Sequence, residues 1–135
     1  MPKFRTMKVG TEIIETDKLK NSQEKITRFG KFLRKYSLDE LPQLISVIIG
    51  DLALVGPRPA LISQKELISK REELGINKIK PGITGHAQIN GRDLLSLDEK
   101  IELEIEYMRR KTILFDILII IKSLKVFFKN NEILH

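Results

Sequence analysis

Apolar residues recur at helical spacing along most of this chain, and glycine or proline breaks the pattern at intervals. In residues 26–35, Phe29, Phe32 and Leu33 share one side, while Arg28, Lys31, Arg34 and Lys35 fall mostly on the others; this predicts a helix. A second helix is expected from the "SLDELPQL" block (37–44) to about Ile49, stopped by Gly50. The charged stretch Ile62–Leu74 predicts a third, closed by Gly75. Ser96–Arg110 predicts a fourth, with Ser96 and Glu99 spaced as a capping box, and Ile113–Lys129 the last. Residues 2–10 read as an extended piece turning at Gly10, and the polar stretch 15–25 as a loop. "DLALVGPRPA" (51–60) is a short apolar run entering a Gly-Pro-Arg-Pro loop. With three glycines and a proline, "IKPGITGHAQINGR" (79–92) predicts a loop or short hairpin. No repeat, low-complexity tract or linker interrupts the 135 residues, which suit a single domain, 1–135.

On a helical wheel, Lys111, Lys122, Lys125 and Lys129 of the last helix fall within an arc of roughly 60°. Most of the remaining perimeter is Ile, Leu, Val and Phe. Two readings are open. One is a core helix with a solvated lysine stripe; the other is an interfacial helix lying on anionic lipid. The apolar run Ile113–Phe128 carries Asp116, Lys122 and Lys125 and is shorter than the ~18–20 residues of a spanning helix. The basic N-terminus "MPKFRTMKVG" lacks the apolar region of a signal peptide.

Composition narrows the chemistry. Lys and Arg number 24 against 18 acids, a formal charge of +6 that favours phosphate-rich partners. Charge alone does not choose among nucleic acid, anionic lipid and nucleotides. Nucleic acid finds little other support: Trp is absent, aromatics are sparse, and no binding module is visible. Cysteine is absent, which excludes disulfides, thiol nucleophiles and thiolate metal sites. Two histidines argue against a His-based zinc site.

The adjacent acids Asp39 and Glu40 admit two readings. Ser37 and Glu40 are spaced as a capping box, and acids suit the positive end of a helix. Pro42, however, is best placed at the first helical position, which would leave both acids on a turn just before the helix. There a carboxylate could meet a bound phosphate or metal. Arg34 lies five residues before Asp39, and Arg58 sits between prolines that restrict its backbone. Acids that can hold a divalent cation or attack phosphorus, with arginines to neutralise phosphate oxygens, resemble equipment for phosphoryl chemistry.

"KFRTM" (3–7), "ITRFGKFLRKYSLDELPQL" (26–44), "GDLALVGPRPAL" (50–61), "KPGITGHAQINGR" (80–92) and "FDILIIIKSL" (115–124) stand in the order and spacing of a known family. The chain resembles the bacterial sugar transferases, small monotopic phosphoglycosyl transferases acting on polyprenol phosphate, from Lys3 onward. The resemblance implies a mainly helical α+β fold, with a few short strands or a hairpin and amphipathic interfacial helices. It implies transfer of a sugar-1-phosphate from a UDP-sugar to undecaprenyl phosphate, with Mg2+ as cofactor and UMP as product. By the same resemblance Asp39 would be the nucleophile of a covalent phosphosugar intermediate, and Glu40 would hold the metal. Arg34 and Arg58 match basic positions near the phosphates, and Asn90 and Arg92 would help build the nucleotide-sugar pocket. The implied location is the cytoplasmic face of the bacterial inner membrane, against an anionic surface.

The family begins with a re-entrant membrane helix, whereas this chain begins at "MPKFRTM". The expectation is therefore a catalytic domain lacking that N-terminal anchor and associating weakly with membranes. The alternative is an inactive or regulatory fragment that binds nucleotide sugars without transfer. His86 stands where Trp or another apolar residue is common, and reads as an edge histidine or a substrate contact. Glu104 stands where the family often has Asp; a shifted metal or sugar contact and no functional role are both open.

Overall fold

The computed structural model describes residues 2–11, 22–36, 38–91 and 94–133. The chain divides into two compact units, Met1–Ile49 and Gly50–His135.

The first unit is organised around an extended N-terminal segment. Met7 forms an antiparallel bridge with Ile26, and Lys8 donates its N–H to the Lys25 carbonyl at 2.9 Å. Helix α1 (Ser22–Lys25) turns where a loop was expected. Helix α2 (Arg28–Lys35) starts two residues later than the pattern suggested, because Ile26 is spent in the bridge and Thr27 caps the helix. The Thr27 hydroxyl accepts from Gly30 N–H at 2.9 Å, and Thr27 donates its own N–H to the Thr6 carbonyl at 2.9 Å. A Cβ on Gly30 would lie 2.2 Å from that same carbonyl. Thus α2 turns its Gly30–Leu33 side inward, and Phe29 and Phe32, expected beside Leu33, are exposed.

A 3-10 turn (Leu38–Glu40) precedes helix α3 (Pro42–Ile49). Pro42 occupies the first helical position, where its missing N–H costs nothing. Gly50, with φ +96°, follows the helix as expected. The burial of α3 inverts the usual order: its one buried residue is Gln43, while Leu44, Ile45, Ile48 and Ile49 are exposed.

In the second unit, β1 (Ala53–Val55) and β2 (Gly82–Thr84) pair in parallel, Ala53 opposite Gly82 and Val55 opposite Thr84. The region expected to be a loop or hairpin is therefore a parallel strand followed by helix α5 (His86–Ile89). Parallel pairing requires a crossover, supplied here by helix α4 (Lys65–Glu73) and a 3-10 turn (Ile76–Lys78). Helix α4 begins later than Ile62 because Leu61 and Gln64 close a turn, with Leu61 N–H donating to Gln64 Oε1 at 3.0 Å. Gly75 leaves α4 in the left-handed region, φ 73°. Helix α6 (Leu97–Arg110) carries the full capping box: Glu99 N–H donates to Ser96 Oγ at 3.3 Å and Ser96 N–H to Glu99 Oε2 at 2.8 Å.

Helix α7 (Ile113–Ile133) begins after Lys111, which ends α6, so that lysine leaves the predicted stripe. Phe115 and Ile119 are buried with Val55 and Tyr107, and Ile79, Ile89 and Ile120 pack around them. A separate face of α7, with Ile117, Leu118, Ile121, Leu124 and Phe128, stays exposed beside Lys122, Lys125 and Lys129. The core-helix reading thus holds for one side of α7, and the opposite side is exposed and apolar beside the lysines. A second cluster joins Leu67, Ile76 and Ile101.

Beside that second cluster lies an ion pair. Arg71 Nε donates to Glu104 Oε2 at 2.8 Å and Nη2 to Oε1 at 2.5 Å, with side chains only 7% and 3% exposed. Glu104 is thus a structural clamp between α4 and α6. Glu104→Ala should lower unfolding stability by roughly 3–5 kcal/mol because it strands a buried guanidinium. Arg71→Met combined with Glu104→Leu should recover most of that loss in urea denaturation.

Candidate functional site

The Asp39–Glu40 turn is held by residues far away in sequence. Phe4 N–H donates to the Asp39 carbonyl at 3.0 Å, and Lys3 Nζ pairs with Glu40 Oε1 at 2.7 Å. Asp39 itself is buried, 8% exposed. The turn is wound tightly into α3: Leu41 N–H donates to Leu38 O at 3.3 Å and Leu44 N–H to Leu41 O at 3.0 Å. Both acids therefore precede the positive end of α3, as Pro42 suggested. Arg34 Nε donates to Thr6 Oγ1 at 2.9 Å, and among the described residues its terminal nitrogens have no hydrogen-bond partner. One extended segment, Lys3 to Thr6, thus holds Arg34, Asp39 and Glu40. Ser37, and with it the capping-box reading of this turn, lies outside the described residues.

Sequence pattern gives no role to Lys3, Phe4 or Thr6. Their only signal was the "KFRTM" block, which carries no chemistry of its own.

Arg58 and Asn90 belong to the second unit, Arg58 on the loop that leaves β1 and Asn90 at the end of α5, which follows β2. The Gly-Pro-Arg-Pro loop leaves β1 and lies against β2: Gly56 N–H donates to Thr84 O at 2.9 Å, and Gly82 N–H to Pro57 O at 3.0 Å. Only glycine admits this approach, since a Cβ on Gly82 would fall 2.1 Å from Gly56 N. Arg58 is half-buried on that loop. Carboxyl ends of parallel strands are where open α/β sheets seat ligands; for this two-stranded pair that is an analogy.

Asn90 ends α5, and its Nδ2 donates to the His86 carbonyl at 2.7 Å, so its amide nitrogen serves the helix end. The same nitrogen lies 3.4 Å from His86 Nδ1, which leaves Nε2–H to donate to Glu106 Oε2 at 3.0 Å. Glu106 also accepts from Arg110 at 2.6 Å. Arg110 first, and His86 second, hold the Glu106 carboxyl below its ordinary range. His86 is fixed in this network beside Phe115. Arg92 lies outside the described residues.

The core beneath the strands holds one phenol. Tyr107 donates to Asp116 Oδ1 at 2.8 Å and lies 3.3 Å from the Val55 carbonyl. Burial, then Asp116, raises its pKa above the ordinary value. A raised phenol pKa stabilises the fold below the unfolded value of about 10, and that contribution is lost as pH climbs toward the folded value. Tyr107→Phe should cost about 1 kcal/mol at neutral pH. Chemical denaturation from pH 8 to 11 should show a smaller alkaline fall in the variant than in the wild type.

The family model for bacterial sugar transferases matches residues 1–130. The chain is 40% identical to a protein named galactosyl transferase CpsE of Streptococcus agalactiae, over 92% of this chain and 30% of that protein. It is 42% identical to an uncharacterized sugar transferase, EpsL, of Bacillus subtilis, over 87% of this chain and 57% of EpsL. It is also 40% identical to the UDP-glucose:undecaprenyl-phosphate glucose-1-phosphate transferase of Escherichia coli, over 87% of this chain and 27% of that enzyme. The chain belongs to the bacterial sugar transferase family. It spans between about a quarter and somewhat over half the length of these relatives.

Proposed function

We propose that this chain transfers a sugar-1-phosphate from a UDP-sugar to undecaprenyl phosphate, giving a polyprenyl-diphosphate sugar and UMP. The observation that carries this reading is the Asp39–Glu40 turn at the start of α3, held by Lys3 and Phe4, in a chain of this family. The name of the Escherichia coli relative supports the substrates.

Asp39 is the nucleophile in this scheme. A carboxylate needs no general base at neutral pH. One of its oxygens forms a bond to the phosphorus that bears the sugar, and the bond from that phosphorus to the UMP oxygen breaks. UMP leaves with the electron pair, and the sugar-phosphate stays on Asp39. An oxygen of undecaprenyl phosphate then attacks the same phosphorus and frees the Asp39 carboxylate. The water-soluble donor and the lipid acceptor thus react in turn. Arg34 and Arg58 are assigned to the phosphate oxygens, and Asn90 and Arg92 to the nucleotide-sugar pocket. Carboxylate oxygens are the ligand type that suits Mg2+. Glu40 would hold the ion, which when bound would neutralise diphosphate charge.

UMP release should be followed with UDP-glucose, UDP-galactose and UDP-N-acetylglucosamine, each with undecaprenyl phosphate and Mg2+ in detergent. Asp39→Asn should lose at least 1000-fold in turnover, on the order of 4 kcal/mol of transition-state stabilisation. Wild-type turnover by that variant would remove Asp39 from the nucleophile's role.

The acceptor is a lipid, and the exposed apolar residues of α3 and α7, with Lys122, Lys125 and Lys129, support a membrane-facing reading. None of the helices, over the described residues, is long and apolar enough to cross a bilayer. Flotation should find more protein on vesicles containing anionic lipid than on neutral ones, and the difference should shrink with added salt. Equal, negligible binding to both would refute the interfacial role.

A further inference from the structure

The side chain of Gln43 is 1% exposed, and neither its Nε2 nor its Oε1 has a hydrogen-bond partner among the described residues. Turning the amide over does not help, because both ends are unpartnered. A buried carboxamide with nothing to bond is costly, and native structures rarely keep one without a use. The cost is the more telling because α3 exposes Leu44, Ile45, Ile48 and Ile49 while it buries this glutamine. Folding stability alone would favour the opposite arrangement.

Its place suggests the use. Asp39 and Gln43, four residues apart, are the two buried residues of the Leu38–Leu44 turn, where Leu41 and Leu44 are exposed. Gln43 thus follows the acidic pair by about one turn, and both side chains are buried. The amide is not tied to the Asp39 carboxylate, so the fold leaves its two N–H donors and its carbonyl unspent. The site also lies at the positive end of the eight-residue α3, which favours an anion.

We infer that the Gln43 carboxamide is a substrate contact, donating from Nε2 to a non-bridging oxygen of the phosphosugar group on Asp39 and accepting a sugar hydroxyl at Oε1. This rests on the transferase reading above and adds to it a group that stabilises charge on the transferred phosphoryl.

The test uses Gln43→Met and Gln43→Leu, of similar length but without the amide. Donor is the UDP-sugar that the wild type turns over fastest, supplied at saturation with Mg2+ and no acceptor, and the burst of UMP is timed. Thermal unfolding is measured on the same samples. Both variants should show a burst at least tenfold slower, with a thermal midpoint equal to or above that of the wild type. A residue that merely holds the fold would not move the two measurements apart. Wild-type burst rates in both variants would overturn this inference alone. So would a midpoint lowered by more than about 5 °C in both, since the amide would then be bonding within the fold. A wild type that releases no UMP, with or without acceptor, overturns the transferase reading and this inference with it.

Discussion

Contact between backbones at glycine is the constraint on which both units depend. In the first, α2 can approach the Thr6 carbonyl only because Gly30 has no side chain. That approach fixes which side of α2 is inward and brings Arg34 to the Thr6 hydroxyl. In the second, Gly56 and Gly82 let the Gly-Pro-Arg-Pro loop close on β2. Larger residues at these positions would push the segments apart by more than side-chain adjustment can absorb, because the obstructing atoms are main chain. The positions of Arg34 and Arg58 both follow from backbone proximity, and neither requires a large apolar core beneath it.

The acidic turn is supported in a different way. Its backbone is fixed through Phe4 and its outer carboxylate is paired with Lys3, a half-exposed contact whose contribution to stability is small. The value of that pair lies in local charge. Two adjacent carboxylates repel each other, and a lysine ammonium beside one of them reduces that repulsion. Glu104, by contrast, spends both its oxygens on Arg71 inside the second unit. Acids of one type thus do opposite work in the two units, according to burial and partner.

Local signals were read well where the structure is local. The Ser96–Glu99 box, Pro42 at the start of α3 and Gly75 after α4 are where sequence spacing put them, because caps and breakers act within four residues. What sequence could not supply is pairing between distant segments. Strands of three residues are too short to show a period, so the β2 segment has the sequence pattern of a loop or hairpin although it pairs in parallel with β1. The inverted burial of α3 defeats any rule that sends leucine inward and glutamine outward. At the site, Asp39, Glu40 and Arg34 stood out through their motif. Lys3 and Thr6 did not, since they act across 37 and 28 residues of sequence and only the folded chain joins them.

The exposed isoleucines of α3 carry a consequence for how this protein can diverge. Ile48 and Ile49 are 85% and 68% exposed, so they contribute little to folding free energy. Selection on stability therefore has almost no hold on them. Their identity can therefore change without disturbing the buried Asp39 and Gln43. Surface character and fold become separately heritable traits, written on two sides of the same two turns of helix.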